Sequence, residues 1–235
     1  MKRLFLLTTV LFSLAASAQN VDDIIKKYSD NLGGIEKFRA IKSAKMSGNV
    51  TVQGMELPIT IQIINNRAVR TDVDVMGSAV ISSYIDGNGW KQNPFAGSSD
   101  PEDMTEKELS DSKSQTQLVN SLMDYKASGA KVELLGKETT DGAEAFKIKL
   151  TAKDGDETTY YIHSSEYRII KTVSQADLMG QTAEIETYFS DPKQINGVTF
   201  YMGRKQTREG EVFQEIVFNT IELDVPIDEA AFKKP

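Results

Sequence analysis

The sequence predicts an α+β domain built on one large, curled antiparallel sheet of about 11 strands, with two helical segments as the cover of its apolar face. Three observations predict it. From Ile41 onward the apolar period is 2, not 3.6; turn signals recur at short intervals; and helical spacing survives only at the start of the chain and in one insertion.

The first 18 of the 235 residues, MKRLFLLTTVLFSLAASA, place Lys2 and Arg3 before an apolar run from Leu4 to Leu14 and close on Ala16-Ser17-Ala18. This is the layout of a cleaved signal peptide. The apolar run is shorter than the roughly 20 residues that a membrane-spanning helix needs. The expected mature chain is residues 19–235, a single exported domain with no transmembrane segment and a monomeric state.

Gln19 to Ala40 reads as helix. Asn20 is a capping residue, Asp22 and Asp23 suit the first turn, and Ile24, Ile25, Tyr28 and Leu32 share a face. Gly33-Gly34 breaks it, leaving Ile35 to Ala40 as a further short helix. Strands follow. Met46, Gly48, Val50 and Val52 alternate with polar residues, as do Ile59, Ile61 and Ile63, and the pattern runs on through Arg67–Met76 and Ser78–Ile85. Gly54, Asn65-Asn66, Gly77 and Asp86-Gly87-Asn88-Gly89 fall too close together for parallel crossovers, so the strands should form antiparallel hairpins.

Residues 101–128 interrupt this pattern. Pro101 suits a first helical position, Glu102 and Asp103 favour a helix start, and Met104, Leu109, Leu118, Leu122 and Met123 keep helical spacing. The expectation is a lid of two helices with a break near Ser110 to Ser114. Strands then resume, with Phe146, Ile148 and Leu150 alternating with Lys147, Lys149 and Thr151, and Ile185, Thr187 and Phe189 with Glu184, Glu186 and Tyr188. A continuous antiparallel sheet of this size must curl. One face is then wet and the other apolar.

Composition narrows the function. The net charge of −7 becomes −9 once Lys2 and Arg3 leave with the signal peptide, and no basic block is present. Such a chain repels phosphate backbones, so nucleic acid is not an expected partner. Cysteine is absent, which removes disulfides, thiolate metal sites, cysteine nucleophiles and the acylated cysteine of a lipid-anchored protein.

The chemical motifs read as structure. Asp86-Gly-Asn-Gly-Trp-Lys begins like a calcium loop, but Trp90 stands where the fifth position needs an oxygen and Gly97 where the twelfth needs a glutamate. Glu102, Asp103, Glu106, Glu108 and Asp111 suit a solvated helix start better than an acid–base pair. His163 is the single histidine, no G-x-S-x-G accompanies it, and Asn49-Val50-Thr51 lies mid-strand, where a glycosylation signal is a chance match. Neither catalysis, nor a metal, nor a cofactor is expected.

With its elements placed, the chain resembles the periplasmic lipoprotein-carrier family of LolA and LolB, in the form of outer membrane lipoprotein-sorting proteins. The likeness rests on four features: the signal peptide followed by an amphipathic helix, the one-faced strands, the segment Ile85-Asp-Gly-Asn-Gly-Trp-Lys-Gln-Asn-Pro-Phe95, and the helical insertion after it. The ending Ile221-Glu-Leu-Asp-Val-Pro-Ile-Asp-Glu-Ala-Ala-Phe232 is similar to the family's close. The resemblance implies an incomplete, half-open antiparallel β-barrel in the periplasm, its concave face lidded by helices, that carries the acyl chains of lipoproteins between inner- and outer-membrane sorting proteins. The family's lid is latched by an arginine preceding a proline on an early strand. Here Ile63-Ile64-Asn65-Asn66-Arg67 has no Arg-Pro pair, leaving Arg67 and Arg70 as the arginines near that place.

The expected function is therefore binding of acyl chains or another hydrophobic ligand in a cavity. The strands would contribute Met46, Val50, Val52, Ile59, Ile61, Val73, Phe146 and Ile148, and the cover Leu118 and Leu122. Trp90 and Phe95 would stand where sheet meets lid, as packing anchors or part of the ligand mouth. The competing expectation is an envelope interaction or stress-sensing protein on the same fold, its interior filled and its function on surface loops.

Overall fold

A computed structural model describes residues 20–96, 98–178 and 181–235. The expected signal peptide, residues 1–18, lies outside the described residues.

Two helices open the chain, α1 (Val21–Asn31) and α2 (Ile35–Ala40). The Asn20 side chain accepts the Asp22 amide at 3.1 Å, and Ile24, Ile25 and Tyr28 form the buried stripe. The break between the helices is steric as well as conformational. Gly33 has φ +107°, and a Cβ there would lie 2.3 Å from the Gly197 carbonyl, so only glycine lets α1 end against the sheet.

Six strands follow: β1 (Ser43–Val52), β2 (Met55–Ile64), β3 (Ala68–Val75), β4 (Ser78–Ile85), β5 (Asn88–Asn93) and β6 (Ser98–Asp103). Helices α3 (Glu106–Gln115) and α4 (Tyr125–Ser128) come next. The remaining strands are β7 (Lys131–Thr140), β8 (Ala143–Thr151), β9 (Glu157–His163), β10 (Ile169–Leu178), β11 (Gln181–Ile195), β12 (Val198–Arg208) and β13 (Glu211–Leu223), before a final 3-10 turn at Glu229–Phe232.

All 13 strands form one sheet in the order β6-β5-β4-β3-β2-β1-β13-β12-β11-β10-β9-β8-β7. Every pairing is antiparallel, and β1 closes the circuit of the chain by pairing with β13. The sheet is not closed, because β6 and β7 remain its two edges. The half-open architecture agrees with the sequence reading, but the strand count is 13, not about 11.

Part of that difference lies in the insertion. Pro101–Asp103, read as the start of a lid helix, instead belongs to the edge strand β6, paired through Trp90 with Asp103 and Lys91 with Glu102. Proline is tolerated at a sheet edge, where its missing N–H costs no ladder bond. The helix begins five residues after Pro101. Thr105 is its N-cap, and a reciprocal box joins the Thr105 hydroxyl to the Glu108 amide and the Glu108 carboxylate to the Thr105 amide. It then runs through Ser110 to Ser114, and the break falls at residues 116–124 instead.

Candidate functional site

Strand register separates the two faces of the sheet. Ala44, Ile63, Val69, Tyr84 and Gly89 form one transverse row across β1 to β5, and Met46 and Ile61 lie on the same face one step along. This face receives the helices. Ile63, Val69 and Tyr84 pack with Leu109 of α3 and with Leu118. Below Gly89 there is no room for a side chain, since a Cβ would stand 2.5 Å from Met104 Sδ and 2.8 Å from Leu109 Cδ2.

At one end the concave face is closed. Ile24, Ile25, Tyr28, Leu32 and Phe38 of the opening helices join Leu122 and Met123 in a continuous core with Phe146, Ile148, Tyr160, Ile162, Met202 and Ile221. Phe38 meets the Phe200 ring edge-on at 5.5 Å. A pocket of about 110 Å³ remains between α1 and the sheet, lined by Tyr28, Leu32, Phe38, Leu118, Phe189 and Phe200 among others. Burial in this core raises the Tyr160 hydroxyl's pKa to about 12, keeping it neutral.

The far end is different. Val50, Ile59 and Ile216 are buried against one another, with Val52, Leu57, Ile61, Val73 and Phe218 partly exposed around them. These come from β1, β2, β3 and β13, and the bulge between Ser47 and Gly48 brings Phe218 opposite Gly48. The residues singled out from the sequence therefore divide. Val50, Val52, Ile59, Ile61 and Val73 come together at this end. Phe146, Ile148 and Leu122 lie in the helix-covered core, while Met46 and Leu118 border both the core and the cluster under α3.

Trp90 belongs to neither group. Its row is Lys45, Gln62, Arg70, Ser83, Trp90 and Asp103, on the face opposite the helices. Only 3% of its surface is exposed, because the C-terminal 3-10 turn covers it. The Phe232 carbonyl accepts both Trp90 Nε1 at 2.8 Å and Ser83 Oγ at 2.9 Å, and the Arg70 guanidinium lies 5.6 Å from the indole centroid. Phe95, in the turn after β5, is 59% exposed. The structure thus places neither aromatic at a junction of sheet and helical cover.

Arg67 and Arg70 also turn to the C-terminal segment, not to the helices. Arg67 bridges Asp86 and Glu229, while Arg70 pairs with Asp72 and donates to the Ala231 carbonyl. Asp86 accordingly spends its carboxylate on a guanidinium at the β4–β5 turn. His163 Nδ1 accepts the Ser165 and Glu166 amides at 3.3 and 3.2 Å, which makes it the organiser of the turn after β9. The acidic residues disperse: Asp103 meets Lys234, Glu108 meets Lys91, and Asp111 meets Lys107. Among the described residues no three His, Cys, Asp or Glu side chains are grouped to hold a metal ion.

One concave-face residue escaped the sequence reading. Arg204 pairs across the sheet with Phe189 and Ile216, two residues beyond the buried Met202, and so shares the apolar end of the concavity.

No protein-family model matches the sequence, and no curated protein matches it. Solved structures do match in fold. A LolA superfamily protein from Nitrosomonas europaea superposes with a TM-score of 0.59 over 89% of this chain and 96% of its own, at 13% identity. A domain named for outer membrane lipoprotein sorting, from Vibrio parahaemolyticus, gives 0.61 over 92% and 98%, at 11% identity. A DUF1329 family protein from Desulfovibrio piger gives 0.59 over 91% and 97%, at 12% identity. The fold of this chain is LolA-like.

Proposed function

We propose that the chain is a periplasmic carrier that binds an acyl chain, from a lipoprotein or another lipid, on the concave face of its open sheet. The reading is drawn from the LolA-like fold and from one observation above the others. An apolar cluster in which Val52, Leu57, Ile61, Val73 and Phe218 stay partly exposed around the buried Val50, Ile59 and Ile216 lies at the end of the concavity away from the core of α1 and α2.

The roughly 110 Å³ pocket beneath α1 is too small for a long chain, so the ligand would lie along the outer end and extend inward as the cover shifts. Each methylene buried contributes about 0.8 kcal/mol, and ten approach about 8 kcal/mol before the costs of association. Apolar contact alone is enough for binding. Loading and release would then be shifts between covered and uncovered populations, each favoured by a different membrane-bound partner. No bond chemistry is involved.

The test is direct. Protein purified from periplasm should carry lipid detectable by native mass spectrometry, and the delipidated chain should bind a fluorescent fatty acid. Val52→Asp should weaken that binding at least about tenfold, because Val52 is partly exposed and a charge there opposes apolar contact. A lipid-free preparation that also ignores the probe would sink the proposal.

A further inference from the structure

Among the described residues, one cation lies at the concave apolar end. Arg204 stands in a transverse row running Phe189, Arg204, Ile216, Val50 and Leu57, with apolar neighbours on both adjacent strands. Along its own strand the same-face neighbours are Met202, in the core, and Gln206, whose amide donates to Thr187 Oγ1 at 3.3 Å. The acidic residues nearest in register, Glu186 and Glu215, belong to the other face, where Glu186 pairs with Lys171 and Glu215 lies opposite Lys205. Among the described residues Arg204 has neither an ion-pair nor a hydrogen-bond partner.

An unpaired guanidinium beside buried aliphatic groups is unfavourable unless a counter-charge or water completes it. Its surroundings fit a concavity. Arg204 is exposed, so solvent completes its guanidinium until a ligand arrives, while the protein around it partly desolvates the charge and lowers its affinity for a proton. A planar five-donor fork suits a carboxylate or phosphate, each of which can take two of its hydrogen bonds.

We propose that Arg204 receives the anionic end of the ligand, whose class is a long apolar chain bearing a carboxylate or phosphate group. The chain would lie over the partly exposed Val52, Leu57 and Phe218 that surround the buried Ile216, Val50 and Ile59, with its head held at β12. The inference rests on the reading of this face as a ligand surface, and it adds a charge requirement which that reading does not need.

The experiment titrates the mature chain, at pH 8, with hexadecanoate, hexadecyl phosphate and hexadecanol, which share one chain and differ in the head. The wild type should bind at least one anion about tenfold more tightly than the alcohol, as expected for a charge-assisted hydrogen bond. Which anion gains more separates a carboxylate from a phosphate source. Arg204→Gln should bring the anions to the affinity of the alcohol while leaving the alcohol unchanged, and Arg204→Lys should restore part of the difference.

Equal affinity for all three heads in the wild type would overturn the proposal while leaving the acyl-binding reading standing. An anion preference undiminished in Arg204→Gln would do the same. Binding of none of the three would overturn both. Thermal unfolding checks that Arg204→Gln is folded; should it not be, the comparison of heads on the wild type still decides.

Discussion

The Trp90 indole donates its Nε1 proton to the Phe232 carbonyl at 2.8 Å, across 142 residues of sequence. Ser83 donates to the same oxygen, and the Arg70 guanidinium holds the carbonyl of Ala231 beside it. The chain's single tryptophan is therefore a clasp for the C-terminus on the convex face. The helical cover lies on the other side of the sheet.

This arrangement predicts a variant whose effect stays on one face. Phe232 is 1% exposed, so Phe232→Ala should lower unfolding free energy by about 3–5 kcal/mol, measured by urea denaturation. Water reaching the indole should red-shift the emission of Trp90, a unique reporter. Fatty-acid affinity on the concave face should change little under conditions where the variant is folded; a matching loss there would mean that the two faces are coupled.

The two arginines that tie down this segment should differ. Arg67 is about half exposed and its two bridges lie in solvent, so Arg67→Ala should leave stability nearly unchanged. Arg70 is less exposed and combines a carboxylate, a backbone carbonyl and the Trp90 ring. Arg70→Ala should cost about 1–3 kcal/mol and move Trp90 emission in the direction given by Phe232→Ala. Equal effects from the two would count against the clasp.

Periodicity made the sheet, the helix break at Gly33-Gly34 and the antiparallel pairing readable, because each depends on local spacing. It could not orient Trp90. A one-residue change of parity moves a side chain to the other face, and an apolar residue on β5 reads as core whichever face covers it. Only the partners settle the matter: Gly89 meets Met104 and Leu109 of the cover, so Trp90 must point away. Arg204, between Gly203 and Lys205, reads as ordinary solvated charge until pairing with Phe189 and Ile216 puts it in the concavity. Strand β6 was hidden for a different reason: Pro-Glu-Asp matches a helix start locally, while its pairing with β5 is a tertiary fact.

Gly48 should be the least replaceable residue of β1. A Cβ there would come within 2.0 Å of the Val217 carbonyl oxygen, at the bulge that aligns β1 with β13. Backbone cannot rotate away as a side chain can. Gly48→Ala should cost about 3 kcal/mol, the upper part of the range for overpacking, whereas Gly54→Ala, in an open turn at φ +79°, should cost about 1–2 kcal/mol from conformation alone. Denaturant midpoints of the two variants check the order, and a reversed order would contradict the bulge geometry.

Acid should loosen α3 through one carboxylate. The Lys91 ammonium, with the Thr105 amide and hydroxyl, pulls the Glu108 carboxyl pKa down from 4.5 to about 2. Because the folded value is the lower one, this contribution is complete above pH 4.5 and is lost as pH falls toward 2. Carboxyl NMR should find Glu108 still ionised at pH 3. Amide exchange in α3 should accelerate as pH approaches 2 relative to the core of β8 and β9, and Glu108→Gln should remove that difference; a Glu108 titrating near 4.5 would exclude the mechanism.

The contact under Gly89 offers a handle on the cover itself. Any side chain there strikes the flexible ends of Met104 and Leu109, which must move aside and disturb the packing of the segment that leads into α3. Gly89→Ala should therefore weaken the seating of α3 on Ile63, Val69 and Tyr84 by about 1–3 kcal/mol, while Trp90 next to it stays clasped from the opposite face. If α3 restricts access to the concave face, the variant should bind and release a fluorescent fatty acid faster than the wild type in stopped-flow mixing. Unchanged rates with a demonstrably loosened α3 would show that ligands enter elsewhere, through the end lined by Val50, Ile59 and Ile216.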